Sequence, residues 1–260
     1  MAKQTGLGAR AFVQGIDISG EVNAIGSITS TQELLDVTTI DKSATVRLAG
    51  REDGSIAFNA WVDPGTLPLA AYPPSSDALH VPSAWTSAAK LPTGQRGVMV
   101  QIATSGTPAL SDAVAMLQAR QANFDVQRQP GNALACTATF QADGAGIVWG
   151  KALTAGMVTH ASAASGTSID DAAASSAGAI AMVQAQPPAS GTATPVIQDS
   201  ADNSSFAAIT GMTFTAVANT DPPTAQLVQS SATQAIRRYV RVASTGTFTN
   251  FPVAMAYRRN

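Results

Sequence analysis

The side chains best suited to hold a ligand lie in the segment QDSADNSS, residues 198–205. Asp199, Asp202 and Asn203 offer oxygen atoms at a spacing that could hold calcium. The glycine and the terminal glutamate of an EF-hand loop are missing, and Asp and Asn also form turns for local reasons. We therefore predict a turn here, with an ion site at Asp199 and Asp202 as the alternative.

The histidines and the single cysteine are the next candidates for chemistry. His80 and His160 lie far apart in the sequence, without partners at metal-ligand spacing, so we predict that both are solvated loop residues. Cys136 alternates with Leu134 and Phe140 on the apolar side of a strand-like segment, which predicts a buried, inert thiol. One cysteine cannot form an internal disulfide, and this fits folding in a reducing cytoplasm.

No pattern in the sequence predicts catalysis or cofactor binding. Gly144 and Gly146 form a GxG pair, but a third glycine and the strand–helix context of a dinucleotide site are missing. The neighbouring carboxylates Asp170 and Asp171 are a weaker ion candidate than the 198–205 segment. Because no nucleophile is matched with a base, we expect no enzymatic activity, no catalytic residues, no resident metal and no cofactor.

Charge is sparse along the chain. Charged residues make up 12% of the sequence and the net charge is −2, against roughly 25% charged residues in an ordinary globular domain. Low charge suits surfaces that end up against other subunits, because desolvating charges is costly. The chain also has no basic field that would hold nucleic acid. A group of arginines is expected to keep strand edges from aggregating: Arg237, Arg238, Arg241, Arg258 and Arg259.

The apolar runs of the sequence do not indicate a membrane protein. The opening MAKQTGLGARAF lacks the apolar run of a signal peptide. The longest helical-looking apolar stretch, residues 172–183, is short and rich in Ala and Ser. We therefore expect no membrane anchor.

The stretch LLDVTTIDKSATVRLAGREDGSIAFNAW, residues 34–61, combines a polar segment with an alternating one. Residues 49–54 predict a hairpin turn, with Asp53-Gly54 as the strongest local signal. Ile56, Phe58 and Ala60 alternate with polar or small residues, which predicts a half-buried strand. The polar segment before the strand has the character of a surface that meets other copies of the chain.

A long hairpin is predicted over residues 115–142. The turn signal Gln129-Pro130-Gly131-Asn132 separates an apolar segment from a second one in which every other residue is apolar. Residues 97–104, GVMVQIAT, predict another strand. Such long strands can supply pairing between subunits, which protects edges that would otherwise aggregate.

The chain is predicted to be all-β dominated and divided in two. We predict a first domain at 1–165, an Ala- and Ser-rich linker at 166–178 and a β-sandwich domain at 179–260, whose short strand candidates recur about every ten residues. The proline-rich residues 63–94 exclude a central strand or a long helix and leave room for a short helix near 67–72 or 83–90.

Several segments resemble the major tail proteins, or tail tube proteins, of long-tailed bacteriophages of the siphophage type. The likeness covers nearly the whole chain and departs from the family pattern at residues 63–94. The segments that carry it are MAKQTGLGARAFVQGIDISGEV, LLDVTTIDKSATVRLAGREDGSIAF, QARQANFDVQRQPGNALACTATFQADG, VWGKALTAG, VIQDSADNSSFAAITG and RRYVRVASTGTFTNF.

The resemblance implies a structural virion protein. In this family a β-sandwich or barrel with a short helix forms rings, six subunits to a ring, and the rings stack into a tube through which DNA passes without specific binding. The second domain would project outward. The implied partners are further copies of the chain, a tape measure protein and a tail terminator. The implied location is the virion tail, after synthesis in the host cytoplasm.

Two groups of residues are predicted to make the assembly contacts. The first is an inter-ring loop: Thr38, Asp41, Lys42, Arg47, Arg51, Glu52 and Asp53. The second lies on the long hairpin: Gln121, Asn123, Asp125, Thr137, Thr139 and Gln141.

Two other functions stay open at this point. A capsid decoration protein would also have β-sandwiches and low charge. A carbohydrate-binding surface module would need exposed aromatic residues for stacking on sugars, and the second half of the chain offers only Tyr239, Tyr257 and a few phenylalanines, with no tryptophan after Trp149.

Overall fold

The computed structural model describes residues 8–20, 22–61, 94–128 and 134–260. Every regular element in these ranges is a β-strand. The strands are β1 (Arg10–Val13), β2 (Ile16–Asp17), β3 (Val22–Asp36), β4 (Arg47–Trp61), β5 (Arg96–Ile102), β6 (Ala113–Arg128), β7 (Leu134–Ala142), β8 (Val148–Ala152), β9 (Val158–His160), β10 (Ala164–Ser165), β11 (Ile169–Asp170), β12 (Ala179–Ala185), β13 (Ser190–Ser200), β14 (Ala207–Thr213), β15 (Val217–Ala218), β16 (Thr224–Gln229), β17 (Tyr239–Thr249) and β18 (Phe251–Arg259).

The strands form two antiparallel sheets, which confirms the all-β prediction. The large sheet runs in the order β16-β12-β18-β8-β6-β5-β1-β2; β7 pairs with β6 and carries β4 and then β3, and β9 pairs with β18. The small sheet runs in the order β10-β17-β13-β14, with β11 on β17 and β15 on β13. The short helix expected near 67–72 or 83–90 falls outside the described residues.

The large sheet folds over itself, so its central strands are buried on both faces. Val98 and Val100 of β5 pack into one apolar cluster with β4 and β7, whereas Met99 between them packs into a second cluster with β12 and β18. Successive side chains of a strand point to opposite faces. A strand buried on both faces therefore reads as a continuous apolar run, as GVMVQI does.

A third cluster joins the two sheets. Phe251, Val253 and Met255 of β18 pack toward the small sheet. Ala254 and Ala256 of the same strand point back into the second cluster, which contains Met99. The described chain is thus a stack of sheet layers with three cores between them. Strands β12 and β18, from the second half of the chain, form a wall that is shared by two of these cores.

Gln184 of β12 ties two layers together. Its side chain is fully buried; its Oε1 accepts a hydrogen bond from Gly15 N at 2.6 Å and its Nε2 donates to Gly97 O at 3.1 Å. We expect Gln184→Leu to lower the free energy of unfolding by about 2 kcal/mol, because it leaves the buried Gly15 N without a partner. Urea unfolding measures the loss.

Gln226 offers a matched control for that measurement. It makes the same pair of bonds, with Thr215 N and Thr215 O, but at an exposed site. Water replaces those partners, so Gln226→Leu is expected to change stability by about 0.5 kcal/mol or less. Equal losses in the two variants would contradict the role given to Gln184.

The prediction of a hairpin turn at residues 49–54 is wrong. These residues lie inside strand β4, with Gly54 opposite Ser30 and Asp53 opposite Thr31, and the turn lies at residues 37–46. Gly54 is buried, and a Cβ there would meet Ile147 Cγ1 at 2.8 Å. The glycine therefore serves a close packing contact, which a local turn signal cannot distinguish from a hairpin loop.

The long hairpin is confirmed by β6 and β7, which pair from Ala119 opposite Ala142 to Arg128 opposite Leu134. Cys136 is buried as predicted. His160, predicted to be solvated, is buried instead; its Nδ1 lies 2.8 Å from Ser244 Oγ, and burial lowers its pKa. His80 lies outside the described residues.

The division into domains stays a prediction, and the strand pairing runs across it. Strand β18 pairs with β8 and β9, so strands from both halves share the large sheet. Within residues 164–170, β10 and β11 pair with β17 of the small sheet.

Candidate assembly surface

A hairpin arm made of β3 and β4 carries most of the exposed apolar side chains. Among the described residues, eight large apolar side chains are strongly exposed, and six of them lie in residues 34–48, here called the arm tip. Apolar groups gathered on one projection mark an interaction surface rather than the usual scatter of single exposed residues. The six are Leu34, Leu35, Val37, Ile40, Val46 and Leu48.

The arm tip is held together by its own hydrogen bonds. Thr38 donates to Asp36 Oδ1 through its amide at 2.9 Å and its hydroxyl at 2.6 Å, and Thr38 Oγ1 accepts from Val46 N at 2.8 Å. Val37 N donates to Val46 O at 2.9 Å. The two bonds from Thr38 lower the pKa of Asp36. The loop thus presents its apolar residues from a defined shape.

Three of the predicted inter-ring residues lie in this loop. Thr38 closes the loop as described. Asp41 accepts a hydrogen bond from the Thr39 hydroxyl, which lowers its pKa, and it lies 3.6 Å from Lys42 Nζ. All three side chains are exposed, so they are available to a partner.

The other predicted inter-ring residues lie on strand β4. Arg47, Arg51, Glu52 and Asp53 are all exposed. Asp53 Oδ1 accepts a hydrogen bond from Gln141 Nε2 at 2.7 Å. The structure therefore brings the arm and the long hairpin, predicted as separate groups, into one continuous surface.

The predicted residues of the long hairpin form hydrogen bonds within the same sheet. Asn123 Oδ1 accepts from Thr139 N at 2.8 Å, and Asn123 Nδ2 donates to Asp125 at 3.2 Å. Thr137 Oγ1 donates to Asn59 Oδ1 at 3.4 Å. Gln121 is buried within the subunit, so its side chain does not lie on the surface.

The outer face of β4 and β7 is polar but carries little charge. Ile56 and Phe58 point into the core, so Ser55 and Asn59 point outward beside Thr137 and Thr139 of β7. Hydroxyl and amide groups dominate in the middle of this face, and charged side chains lie at its margins. These are Arg51, Asp53, Arg120 and Asp125. Such a face offers few attractive contacts to phosphate.

Two of the open strand edges in the described part of the chain belong to the arm and the long hairpin. There, β3 pairs only with β4, and residues 120–128 of β6 pair only with β7. An open edge presents unpaired N–H and C=O groups that can bind a strand of another chain. The two edges lie at opposite sides of the same β3-β4-β7-β6 segment.

Residues 201–205 form a turn, as predicted, directly after strand β13. Asp202 Oδ1 accepts from Ser204 N and Ser205 N at 3.0 and 2.8 Å, which lowers its pKa. Asp199 instead binds Arg237, with the guanidinium 2.6 Å from Oδ1. Within the described residues no group of three possible metal ligands comes together.

Reasoning from sequence missed the apolar residues of the arm tip. The stretch was interpreted as polar, although its leucines, valines and isoleucine stand in the printed sequence. The available signal was the apolar content of a segment that flanks a turn.

In the described ranges, no helix is long and apolar enough to cross a bilayer.

No protein-family model and no curated protein matches the chain. Among solved structures, the chain is similar to the sheath/tube terminator of an extracellular contractile injection system, PVC, at 9% identity and a TM-score of 0.40, over 57% of this chain and 97% of that one. It is similar to a chain of the native gene transfer agent virion at 13% identity and a TM-score of 0.35, over 57% and 98%.

The SPP1 Dit protein, described as a paradigm of the hub adsorption apparatus in phages that infect Gram-positive hosts, is similar over 96% of this chain and 99% of its own. Its identity is 9% and its TM-score 0.33. Identities and TM-scores this low leave the function to be argued from the residues of the chain itself.

Proposed function

We propose that the chain is a structural subunit of a bacteriophage tail tube that assembles with copies of itself into rings, six subunits to a ring, which stack around a lumen for DNA. The observation that carries the proposal is the arm tip. Its apolar side chains have no cover within the described subunit, and Ile40 is fully exposed. A second copy of the chain is the occupant that covers them.

The open edges support self-assembly of this kind. The edge of β3 and the edge of residues 120–128 differ in sequence and lie on opposite sides of one sheet segment. A contact between two different surfaces of the same chain is head-to-tail, and such contacts close into rings or continue into filaments. Pairing one edge with the other would satisfy both, so neither would be left to aggregate.

The polar face of β4 and β7 suits the wall of a DNA channel. Its middle, around Ser55, Asn59, Thr137 and Thr139, consists of hydroxyl and amide groups and carries no cation. Phosphate contacts would hold DNA in place, so their scarcity lets it pass. In this proposal Thr137, Thr139 and Asn123 face the lumen or the adjoining subunit.

The remaining assignments follow from the same proposal. The arm would reach a neighbouring ring, with Thr38, Asp41 and Lys42 at the contact and Arg47, Arg51 and Glu52 along its side. Residues 179–260 would lie on the outside of the tube. A tape measure protein inside the lumen and a tail terminator at its end would be the partners, and the chain would work without catalysis in the tail of the virion.

Electron microscopy of the purified full-length chain tests the proposal. We expect hollow rings or tubes whose fraction rises with protein concentration, because assembly follows mass action. A chain that remains monomeric at every concentration, or that binds capsids as a monomer or trimer, would overturn the proposal and favour a decoration protein.

A further inference from the structure

A second surface feature lies away from the arm, where the two halves of the chain meet. A pocket of about 460 Å³ is lined by residues of β8, of β18 and of the segment between β11 and β12. Its volume falls within the range of small-molecule sites, roughly 300–1,000 Å³. The lining residues are Ala113, Trp149, Gly150, Lys151, Asp171, Tyr257, Arg258 and Arg259.

Trp149 gives this pocket an aromatic wall. Its side chain is 42% exposed, although large apolar side chains in the described residues are otherwise buried or gathered mainly on the arm tip. Lys151 stands opposite Tyr257 in the β8–β18 pairing, and Trp149 points to the same face as Lys151. An indole ring among polar groups thus stands alone, unlike the apolar patches that bind proteins.

The charges of the pocket are arranged around one carboxylate. Asp171, whose side chain is 7% exposed, lies 2.6 Å from Lys151 Nζ and 3.2 Å from Arg259 Nε. The contact with Arg259 Nε is an ion pair that lies off the line of a hydrogen bond. Two cations, Lys151 and Arg259, therefore share a single carboxylate, so these ion pairs leave one positive charge uncompensated.

We propose that this pocket binds an acidic saccharide, a pyranose ring that bears a carboxylate. The C–H face of the ring would stack on Trp149, whose π-face is negative. The carboxylate of the ligand would bind Lys151, which is half-exposed at the rim, and a ring hydroxyl would bond to Asp171. A single-stranded nucleic acid would instead need a groove of cations that follows its backbone, whereas a carboxylate stands in the middle of this pocket.

Calorimetric titration of the full-length chain tests the proposal with oligomers of galacturonic acid as the probe. Oligomers of galactose, which lack the carboxylate, are the matched neutral ligand. We expect saturable binding of the acidic oligomer that is at least about tenfold tighter than that of the neutral one and weakens with salt. Trp149→Ala is expected to weaken binding by about tenfold or more.

Trp61→Ala is the control, because Trp61 is exposed to a similar degree (45%) but lies outside the pocket. It should bind like the unchanged protein, and thermal melting should show that both variants are folded. The proposal fails if neither oligomer binds saturably, if Trp149→Ala binds normally, if both sugars bind equally, or if single-stranded oligonucleotide binds in their place. These readouts do not depend on tube formation, so the two proposals fail separately.

Discussion

Aspartate substitutions at Ile40 and Leu48 of the arm tip are expected to abolish tube formation while the subunit stays folded. Ile40 is fully exposed and Leu48 is 56% exposed, so neither side chain supports a core of the subunit. A carboxylate at either position would have to be desolvated in the contact with a second copy, which is strongly unfavourable without a paired cation. Exposed substitutions of this kind change folding stability by about 0.5 kcal/mol or less.

Electron microscopy and sedimentation velocity of the double variant measure the effect, with thermal melting as the test of folding. The matched control is Ala208→Asp with Thr210→Asp, which adds the same charge to exposed positions of β14. The control should form assemblies like those of the unchanged chain. Normal tubes from the Ile40 and Leu48 variant would remove the arm tip from the contact between subunits.

Replacement of Gly150 by alanine is expected to destabilise the subunit by about 3 kcal/mol. A Cβ at this position would lie 2.5 Å from Tyr257 O and 2.8 Å from Met116 Cε. The methionine can move, but Tyr257 O belongs to the backbone of the neighbouring strand β18. Relief of the clash therefore requires β8 and β18 to separate, in a region where two cores meet.

Urea unfolding measures this loss, and Gly20→Ala serves as its control because no heavy atom lies within 4 Å of the added Cβ. We expect the control to change stability by about 0.5 kcal/mol or less. If the Gly150 variant were as stable as the Gly20 variant, the close contact between β8 and β18 would not be a constraint on the fold.

Strands with a clear local pattern could be predicted from the sequence. The alternation of Cys136, Ala138 and Phe140 beyond a strong turn signal predicted β7, and the run GVMVQIAT predicted β5. These patterns are local, because burial of one or both faces of a strand determines which of its own residues are apolar.

The boundaries of the arm could not be predicted in the same way. Asp53-Gly54 has the composition of a hairpin turn, yet β3 pairs past it and Ile147 packs on Gly54. The true turn at residues 37–46 contains neither glycine nor proline. Side-chain bonds from Thr38 to Asp36 close it, and a turn of that kind has a weaker signature.

The candidate surfaces depend even more on contacts between distant residues. Residue type alone would assign apolar side chains such as those of Leu34 and Ile40 to the inside of a subunit. Trp149 was counted with the first half of the chain, far from Tyr257. Only the register that places Lys151 opposite Tyr257 brings this tryptophan beside the arginines of β18.

The pairing of β8 with β18 also bears on the timing of assembly in a cell. Met255 N donates to Thr154 Oγ1, 101 residues earlier, and Leu153 N donates to Met255 O. During synthesis the arm tip leaves the ribosome long before β18 does. At that stage the cluster around Met99 still lacks the side chains that β18 contributes. Contacts between such distant segments form late and slowly. Completion of the subunit core therefore waits for β18, and a half-made chain exposes the apolar residues of the arm tip before that core is closed.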